Sequence, residues 1–303
     1  MPDMRLRRRF TLVTLVCTIV LLSWGAVVTS IDAGLAVPDW PSSFDSYDAL
    51  NPMPQWYALP PVLAEHGHRL LGMLVGFCTV ILAAWTWFSD PRRWMKYLGA
   101  VALALVIVQG TLGGLRVVWQ SLDLAVVHAC VAQLFFSLLA SMWLFTTRTW
   151  LQGEAKATGE SAEAFRRVIW LPATALYIQV ILGAVLRHVG RGVDVALVMI
   201  HMTGAFVVLA ILFMAIRWIR RSTPAGTLPY QIAGAIAVLL FIQIGLGFSA
   251  YAVLLQEHGI ARSLLQVVLN TSHMVVGASL MATTVVATLL SIRKPVPEQQ
   301  LNG

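Results

Sequence analysis

Charged residues are scarce in this sequence. They make up 12% of its 303 residues, against 58% hydrophobic residues, whereas a soluble domain usually has about 25% charged residues. The hydrophobic residues form uninterrupted runs of about 20 residues, without the alternating polarity of barrel strands. The composition therefore excludes an ordinary soluble domain and predicts an all-α polytopic membrane protein.

Cysteine is scarce as well, and several well-known motifs are missing. The three cysteines, Cys17, Cys78 and Cys130, each lie inside an apolar run, and no two have the spacing of a metal or redox motif. We therefore expect buried thiols and no disulfide. The sequence contains no HExxH, GxGxxG or P-loop, which leaves zinc-peptidase chemistry and nucleotide binding without support.

Eight apolar segments are long enough to cross a hydrocarbon core of about 30 Å. The predicted spans are residues 10–29, 63–88, 97–117, 124–146, 167–187, 194–218, 230–254 and 265–291. Of the 21 Lys and Arg residues, sixteen lie at the termini and in the connections on one side, and five lie on the other. The positive-inside rule then predicts that both termini are cytoplasmic. The net charge of +7 reflects this topology and does not indicate a nucleic-acid partner.

The predicted outer loop over residues 30–62 is long and rich in proline and tryptophan. This composition favours an ordered lid at the membrane interface, and a passive connector is the alternative. A polar stretch at residues 151–165 is predicted to be a cytoplasmic linker. It divides the chain into an N-terminal half, residues 1–150, and a C-terminal half, residues 166–303.

The two halves repeat each other. WGAVVTSIDAGL in the first helix matches LGAVLRHVGRGV in the fifth, which pairs Gly25 with Gly183. IVQGTLGG in the third helix matches FIQIGLGF in the seventh, which pairs Gly113 with Gly247. Because four spans return the chain to its starting side, the two copies are predicted to have the same orientation.

Four histidines give the strongest functional signal. Each lies in an even-numbered span, near its predicted outer end, and the residue four positions later is small. A small residue one turn along the same helix face leaves room for a flat macrocycle. A single histidine in an apolar helix is usually a packing residue, but four at one depth and at repeated positions favour ligands. The histidines are His68, His128, His201 and His273, followed by Gly72, Ala132, Ala205 and Gly277.

The residue types around these histidines favour haem iron as the bound metal. Zinc would require three or four tetrahedral ligands, and copper would favour cysteine or methionine partners. Two neutral imidazoles from facing helices suit the two axial positions of haem iron. The prediction is one site per half, formed by His68 with His128 and by His201 with His273.

A carboxyl group distinguishes the two halves. Glu65 lies one turn before His68, whereas Val198 occupies that position before His201. Glu65 is predicted to be catalytic, as a group that moves protons, and a helix N-terminal acid is the alternative. Arg69 is a weaker candidate, either pairing with haem propionates or snorkelling to the interface. Three further histidines are predicted to be interfacial residues and not ligands: His66, His188 and His258.

Taken together, these motifs resemble the haem A synthases of the CtaA family. The similarity lies in ExxHR at the second span, VHACVAQLFF in the fourth, HMTGA in the sixth, NTSHMVVGASL in the eighth and GLAVPDWP in the outer loop. The resemblance implies eight helices in two four-helix halves and an oxidoreductase that converts a methyl substituent of haem O to a formyl group. The product would be haem A for cytochrome oxidase.

The resemblance also implies roles for individual residues. His68 and His128 would bind the substrate haem O, His201 and His273 would bind a haem B cofactor, and Glu65 would act near the substrate. It implies a bacterial inner membrane, haem sites towards the outer side, and a haem O synthase that supplies the substrate. Some members have a cysteine pair in the first outer loop, and residues 30–62 contain no cysteine, so this chain is of the type without that pair.

Alternatives from other functional classes stay open. A di-haem B cytochrome that relays electrons from quinol would use the same four histidines. A transporter is less favoured, because the polar residues lie near one face and no acid lies at the predicted midplane. The electron donor and the oligomeric state, a homo-oligomer included, are not visible in the sequence.

Overall fold

Eight long helices form almost all of the regular structure in the computed structural model, which describes residues 2–152, 168–256 and 263–293. All eight are long and apolar enough to cross a membrane, so the predicted all-α polytopic architecture is confirmed. Their bounds are α1 Pro2–Ser30, α2 Pro60–Ser89, α3 Arg93–Val118, α4 Leu122–Leu144, α5 Leu171–His188, α6 Val195–Ser222, α7 Leu228–Gln256 and α8 Leu264–Ile292.

The helices extend beyond several predicted spans, most of all at the N-terminus. Helix α1 begins at Pro2, whereas the predicted span begins at residue 10. Hydropathy detects only the part that suits hydrocarbon, while Arg and Leu in MRLRRRF are good helix formers that continue the helix into the polar region. The predicted linker falls largely on residues 153–167, outside the described residues.

Capping residues set where the histidine-bearing helices begin. The side chains of Ser121, Asp194 and Ser263 each accept a hydrogen bond from a backbone N–H in the first turn of α4, α6 and α8. Helix α2 begins instead with two prolines, Pro60 and Pro61, which suit a first turn. All four ligand candidates therefore lie within about three turns of the start of their helices.

The helices pack as two groups of four. Helices α1 to α4 contact one another in sequence, and α1 also contacts α4; α5 to α8 do the same, with α5 against α8. The groups meet through α4 and α8, and also through α1 with α8 and α4 with α5. Phe135 and Leu139 on α4 and Ala282 on α8 belong to the shared core.

A buried ion pair fixes the helix ends opposite to the histidines. Arg7 on α1 lies 2.6 Å from Asp90, and Arg92 lies 2.8 Å from the same carboxylate. Burial raises the pKa of Asp90, but hydrogen bonds from Arg92 and the charges of both arginines outweigh it and leave the pKa below its usual value. Asp90 therefore stays ionised and ties α1 to the turn between α2 and α3.

Candidate functional site

In the first half, each candidate histidine packs against a glycine of the preceding helix. A Cβ atom at Gly25 on α1 would lie 2.9 Å from Cε1 of His68 on α2. A Cβ at Gly113 on α3 would lie 3.2 Å from Cε1 of His128 on α4. Distances this short leave no room for a methyl group unless the imidazole moves.

The second half makes the same contacts at the paired positions. A Cβ at Gly183 on α5 would lie 3.0 Å from Cε1 of His201, and one at Gly247 on α7 would lie 2.9 Å from Cε1 of His273. The sequence repeat pairs these glycines with those of the first half but does not connect any of them to a histidine. In the structure each glycine has the same role. Because it has no side chain, the edge of an imidazole ring can approach the backbone of the neighbouring helix.

The rings of His201 and His273 lie at a distance suited to a shared metal ion. Their centroids are 6.5 Å apart, with an angle of 74° between the planes. An iron held by two imidazole nitrogens, each about 2 Å away, places the ring centroids roughly 6 Å apart. The spacing of the two rings therefore matches that of two axial ligands of one haem. In the structure, Gln243 Nε2 lies 3.2 Å from His273 Nε2.

Glutamine side chains and backbone carbonyls orient these two rings. His273 Nδ1 lies 3.1 Å from the carbonyl oxygen of Gln243, and a metal-binding histidine usually donates its second N–H in this way. Gln179 Nε2 donates to the carbonyl oxygen of His201 at 2.7 Å and lies 3.1 Å from its Nδ1. Sequence reasoning missed Gln179, although its place one turn before Gly183 on the same helix face could have indicated it.

The rings of the first pair have fewer partners. Nδ1 of His68 and Nδ1 of His128 are buried, and neither has a hydrogen-bond partner among the described residues. The structure also leaves open space beside Gly72, one turn after His68, where an added Cβ would meet nothing within 4 Å. Buried polar atoms are normally satisfied, so orphaned imidazoles beside open space fit a ligand-binding role for a flat group.

Glu65 is buried beneath the outer loop, with 4% of its surface exposed. Its Oε2 accepts a hydrogen bond from the backbone N–H of Val37 at 2.9 Å, and its Oε1 accepts one from Arg69 Nη2 at 3.2 Å. Both carboxylate oxygens are therefore engaged, one by the loop and one by the arginine on the next turn of α2. The structure places Glu65 one turn from His68, as predicted, and adds an anchoring contact that the sequence did not show.

Arg69 binds the loop with both terminal nitrogens. Nη1 donates to the carbonyl oxygens of Asp39 and Ser42 at 2.8 and 2.9 Å, and Nη2 donates to that of Val37 at 2.9 Å. The weaker prediction, pairing with haem propionates, has no support from these contacts, because protein acceptors already occupy both groups. A guanidinium presents several donors in a fixed plane, which suits it to collecting carbonyls from one loop.

The prediction that His66 is an interfacial residue is wrong. Its exposed fraction is 2%, its Nδ1 lies 3.2 Å from Ser43 Oγ, and its Nε2 lies 2.9 Å from the carbonyl oxygen of Ala49. Two residues along a helix correspond to about 200° of rotation, so His66 faces the loop while His68 faces the bundle. His188 lies at the end of α5, partly buried, and His258 lies outside the described residues.

The GLAVPDWP stretch docks the loop onto α3 as well as α2. Arg116 Nη2 donates to the carbonyl oxygen of Gly34, where the guanidinium leaves no room for a Cβ. The indole of Trp40 lies directly against Gly114, again with no room for a side chain there. With the Glu65 contact on α2, these interactions confirm that the loop is ordered and show that it docks over the histidine end of the first half. Its place at the membrane interface stays a prediction. We call residues 31–59 the lid.

Comparison with known proteins places the chain in a family. A family model described as cytochrome oxidase assembly protein matches residues 8–199, which include His68 and His128 but end before His201. A curated protein named Heme A synthase from Symbiobacterium thermophilum is 30% identical over 62% of this chain and 61% of its own length. The protein of the same name from Lysinibacillus sphaericus is 28% identical over 62% of this chain and 60% of its own length. The one from Alkalihalophilus pseudofirmus is 28% identical over 59% of this chain and 59% of its own length.

The chain thus matches about three fifths of the length of these curated relatives. The family match runs from α1 into the start of α6 and takes in the lid and the first histidine pair. Since it spans more than half of the sequence, this chain belongs to the COX15-CtaA family of cytochrome oxidase assembly proteins.

Proposed function

We propose that this protein is a haem A synthase, a membrane oxidoreductase that converts a methyl substituent of haem O to a formyl group and so supplies haem A for cytochrome oxidase. The observation that carries the proposal is the fourfold contact between histidine and glycine, which gives one histidine on each of α2, α4, α6 and α8 the same setting. Its membership of the family, and relatives named Heme A synthase, support the choice of reaction.

In this proposal the first half binds the substrate. His68 and His128 hold the iron of haem O, because their rings are buried with unpartnered nitrogens and the space beside Gly72 is open. The lid closes over this end and limits the access of water. Glu65 takes up a proton near the reacting group. Its carboxylate pairs with Arg69, which also binds the lid, so proton uptake by Glu65 is coupled to the position of the lid.

The second half binds a haem B cofactor between His201 and His273. When bound, this haem would supply one-electron redox chemistry. Gln243 and Gln179 keep the two imidazoles in the orientation that ligation needs. The contact between α4 and α8 joins the helices of His128 and His273, so the two sites lie on adjoining helices.

The proposal assigns residues 1–150 to the substrate half and residues 166–303 to the cofactor half, with a cytoplasmic linker at 151–165. It places the protein in the inner membrane of a bacterial cell, with both haem sites towards the outer side. The distribution of Lys and Arg supports this orientation. Haem O from a haem O synthase is the expected substrate, and the chain itself does not identify the electron donor.

A second candidate function is a di-haem B cytochrome that relays electrons from quinol. The engagement of both Glu65 oxygens in holding the lid favours it, since a carboxylate used in this way need not take part in chemistry. The two functions differ in the pigment that the first half binds.

Pigment analysis of the purified full-length protein separates these functions. The chain is produced in cells that also make haem O, and its haems are extracted and identified by mass. Haem B together with haem O or haem A supports the synthase, whereas two haem B per chain favours the cytochrome. A chain without any haem would contradict both, and His188→Ala serves as a control that removes a histidine outside the two pairs.

A further inference from the structure

Three neutral polar side chains lie on α8 between its first turn and His273. Gln266 is almost fully buried, with 1% of its surface exposed. Its Nε2 donates to the carbonyl oxygen of Ala250 on α7 at 3.3 Å and to Oδ1 of Asn270 at 3.2 Å. The third side chain is Thr271, which follows Asn270. Such polar groups are costly in an apolar helix bundle, so their presence calls for a partner.

The contact with Gln266 fixes the direction of the Asn270 amide. Because Oδ1 of Asn270 accepts the hydrogen bond, its Nδ2 is the remaining donor. Nδ2 of Asn270, Oγ1 of Thr271 and Oε1 of Gln266 are buried, and none has a hydrogen-bond partner within the described part of the chain. Thr271 lies two residues before His273, about 200° around the helix, and so faces the other side of α8. Nδ2 of Asn270 is the buried donor on the face of His273, and it indicates a ligand that brings an acceptor oxygen.

The position of this donor relates it to the second histidine pair. Asn270 lies one turn before His273 on the same helix face. On α7, Gly247 faces His273 and Ala250 faces Gln266, so His273 and Gln266 are both directed at α7. Asn270 lies between His273 and the near end of α8. The carboxylates of a membrane-bound haem must point to that end, because it is the closest route to water.

We infer that Asn270 binds a propionate carboxylate of the haem held by His201 and His273, and that Gln266 orients Asn270. This inference rests on the proposed function, which supplies the haem. The donor is a neutral amide, so it recognises the carboxylate by a hydrogen bond and not by an ion pair.

The first half has no counterpart of this donor. The repeat that pairs His128 with His273 pairs Ala125 with Asn270. Alanine cannot donate a hydrogen bond from its side chain. The subsite therefore gives the cofactor half a means of retaining its haem that the same position of the substrate half lacks.

The test compares haem B with its dimethyl ester, in which both carboxylates are blocked. Full-length protein is purified without haem from cells that do not make it, in a His68→Ala background that confines binding to the second pair. Each ligand is titrated and followed by the Soret absorbance. We expect Asn270→Ala to weaken haem B binding about tenfold and to leave the affinity for the ester unchanged. Thr271→Val, on the other side of α8, should bind both ligands as the background does.

Controls separate this inference from the proposal beneath it. Ser279→Ala removes a hydroxyl that bonds to Val275 within α8, and it should bind both ligands as the background does. If His201→Ala keeps full affinity for haem B, the ligand assignment fails and the inference fails with it. If His201→Ala abolishes binding but Asn270→Ala binds as the background does, the inference is overturned while the haem site stands. Equal weakening for haem B and its ester in Asn270→Ala would overturn it too, because the side chain would then act only through packing.

Discussion

The two halves hold their histidines against glycine in the same way but surround them differently. In the second half, Gln179 contacts the ring and the carbonyl oxygen of His201, and Gln243 contacts both ring nitrogens of His273. In the first half, Gln109 donates to the carbonyl oxygen of His128 in the same way, but the ring Nδ1 atoms of His68 and His128 have no side-chain partner in the described structure. Fixed imidazoles suit a cofactor that stays in place, and less constrained imidazoles suit a substrate that must enter and leave.

The connections between helices differ in the same sense. The lid, residues 31–59, joins α1 to α2 and folds over the first histidine pair, whereas residues 189–194 suffice to join α5 to α6. The two halves therefore have similar helices, but only the first half has a long loop folded over its histidines. The lesson is that the helices place the ligands, while the loops and the polar neighbours of each ring distinguish the two sites.

Removing one histidine from each half should produce the largest effect and test the comparison directly. His201→Ala should deplete haem B and leave haem O bound, and His68→Ala should do the reverse. Each change deletes an axial ligand and leaves the other half intact. The measurement is extraction of the pigments from the purified protein and their identification by mass. Loss of haem O alone from His201→Ala would invert the assignment of the halves.

Glu65→Gln tests whether the acid that distinguishes the first half takes part in chemistry. We expect bound haem to be retained and conversion of haem O to fall about a hundredfold or more, since a general acid or base contributes at least that much. Haem O and haem A are quantified after expression. Ser43→Ala provides the control, because it removes contacts of the lid with Arg69 and His66 and keeps the carboxylate. An equal loss of conversion in both variants would show that Glu65 acts by holding the lid.

The sequence predicts the helices well and identifies four histidines that the structure places in matching contacts with glycine, but it misses what surrounds them. Long apolar runs and repeated histidines follow from local composition and period, which the chain displays directly. The roles of Arg69 and His66 in holding the lid depend on where residues 31–59 fold, and this involves contacts between distant parts of the chain. Gln179 could have been predicted. The repeat aligns it with Leu21, so Gln179 is a polar residue at a position that is apolar in the first half.

The glycines offer a finer test of the shared scaffold. Gly25→Ala should push the His68 ring away from α1 and weaken haem binding in the first half by about tenfold, the range expected for overpacking. Gly76→Ala is the matched control on α2, since its Cβ would meet nothing within 4 Å. Haem content and dissociation rate are compared for both variants. Gly247→Ala should cause the corresponding loss in the second half, and normal haem content in either variant would contradict the common role.

The smallest expected effect concerns the acid sensitivity of the lid, which only the first half should show. Asp39 accepts hydrogen bonds from the N–H groups of Phe44 and Asp45, at 2.7 and 2.9 Å, and from the hydroxyl of Ser42. Burial raises the pKa of Asp39, but these hydrogen bonds outweigh it and hold the pKa below its usual value.

Because the pKa of Asp39 is lower in the folded lid than in an open one, the open lid binds more protons as the pH falls. The contribution of the Asp39 carboxylate to the stability of the folded lid is therefore fully present above the ordinary aspartate pKa of about 4, and it is lost as the pH falls through the lower, folded value.

Hydrogen exchange of lid amides between pH 3 and 7, corrected for the intrinsic exchange rate, should show this loss in the wild type. Asp39→Asn should exchange slightly faster at neutral pH and lack the acid-dependent increase, while residues 189–194 behave alike in both proteins. An unchanged acid response in Asp39→Asn would mean that another group controls the lid, and the difference in pH response between the halves would then need a different origin.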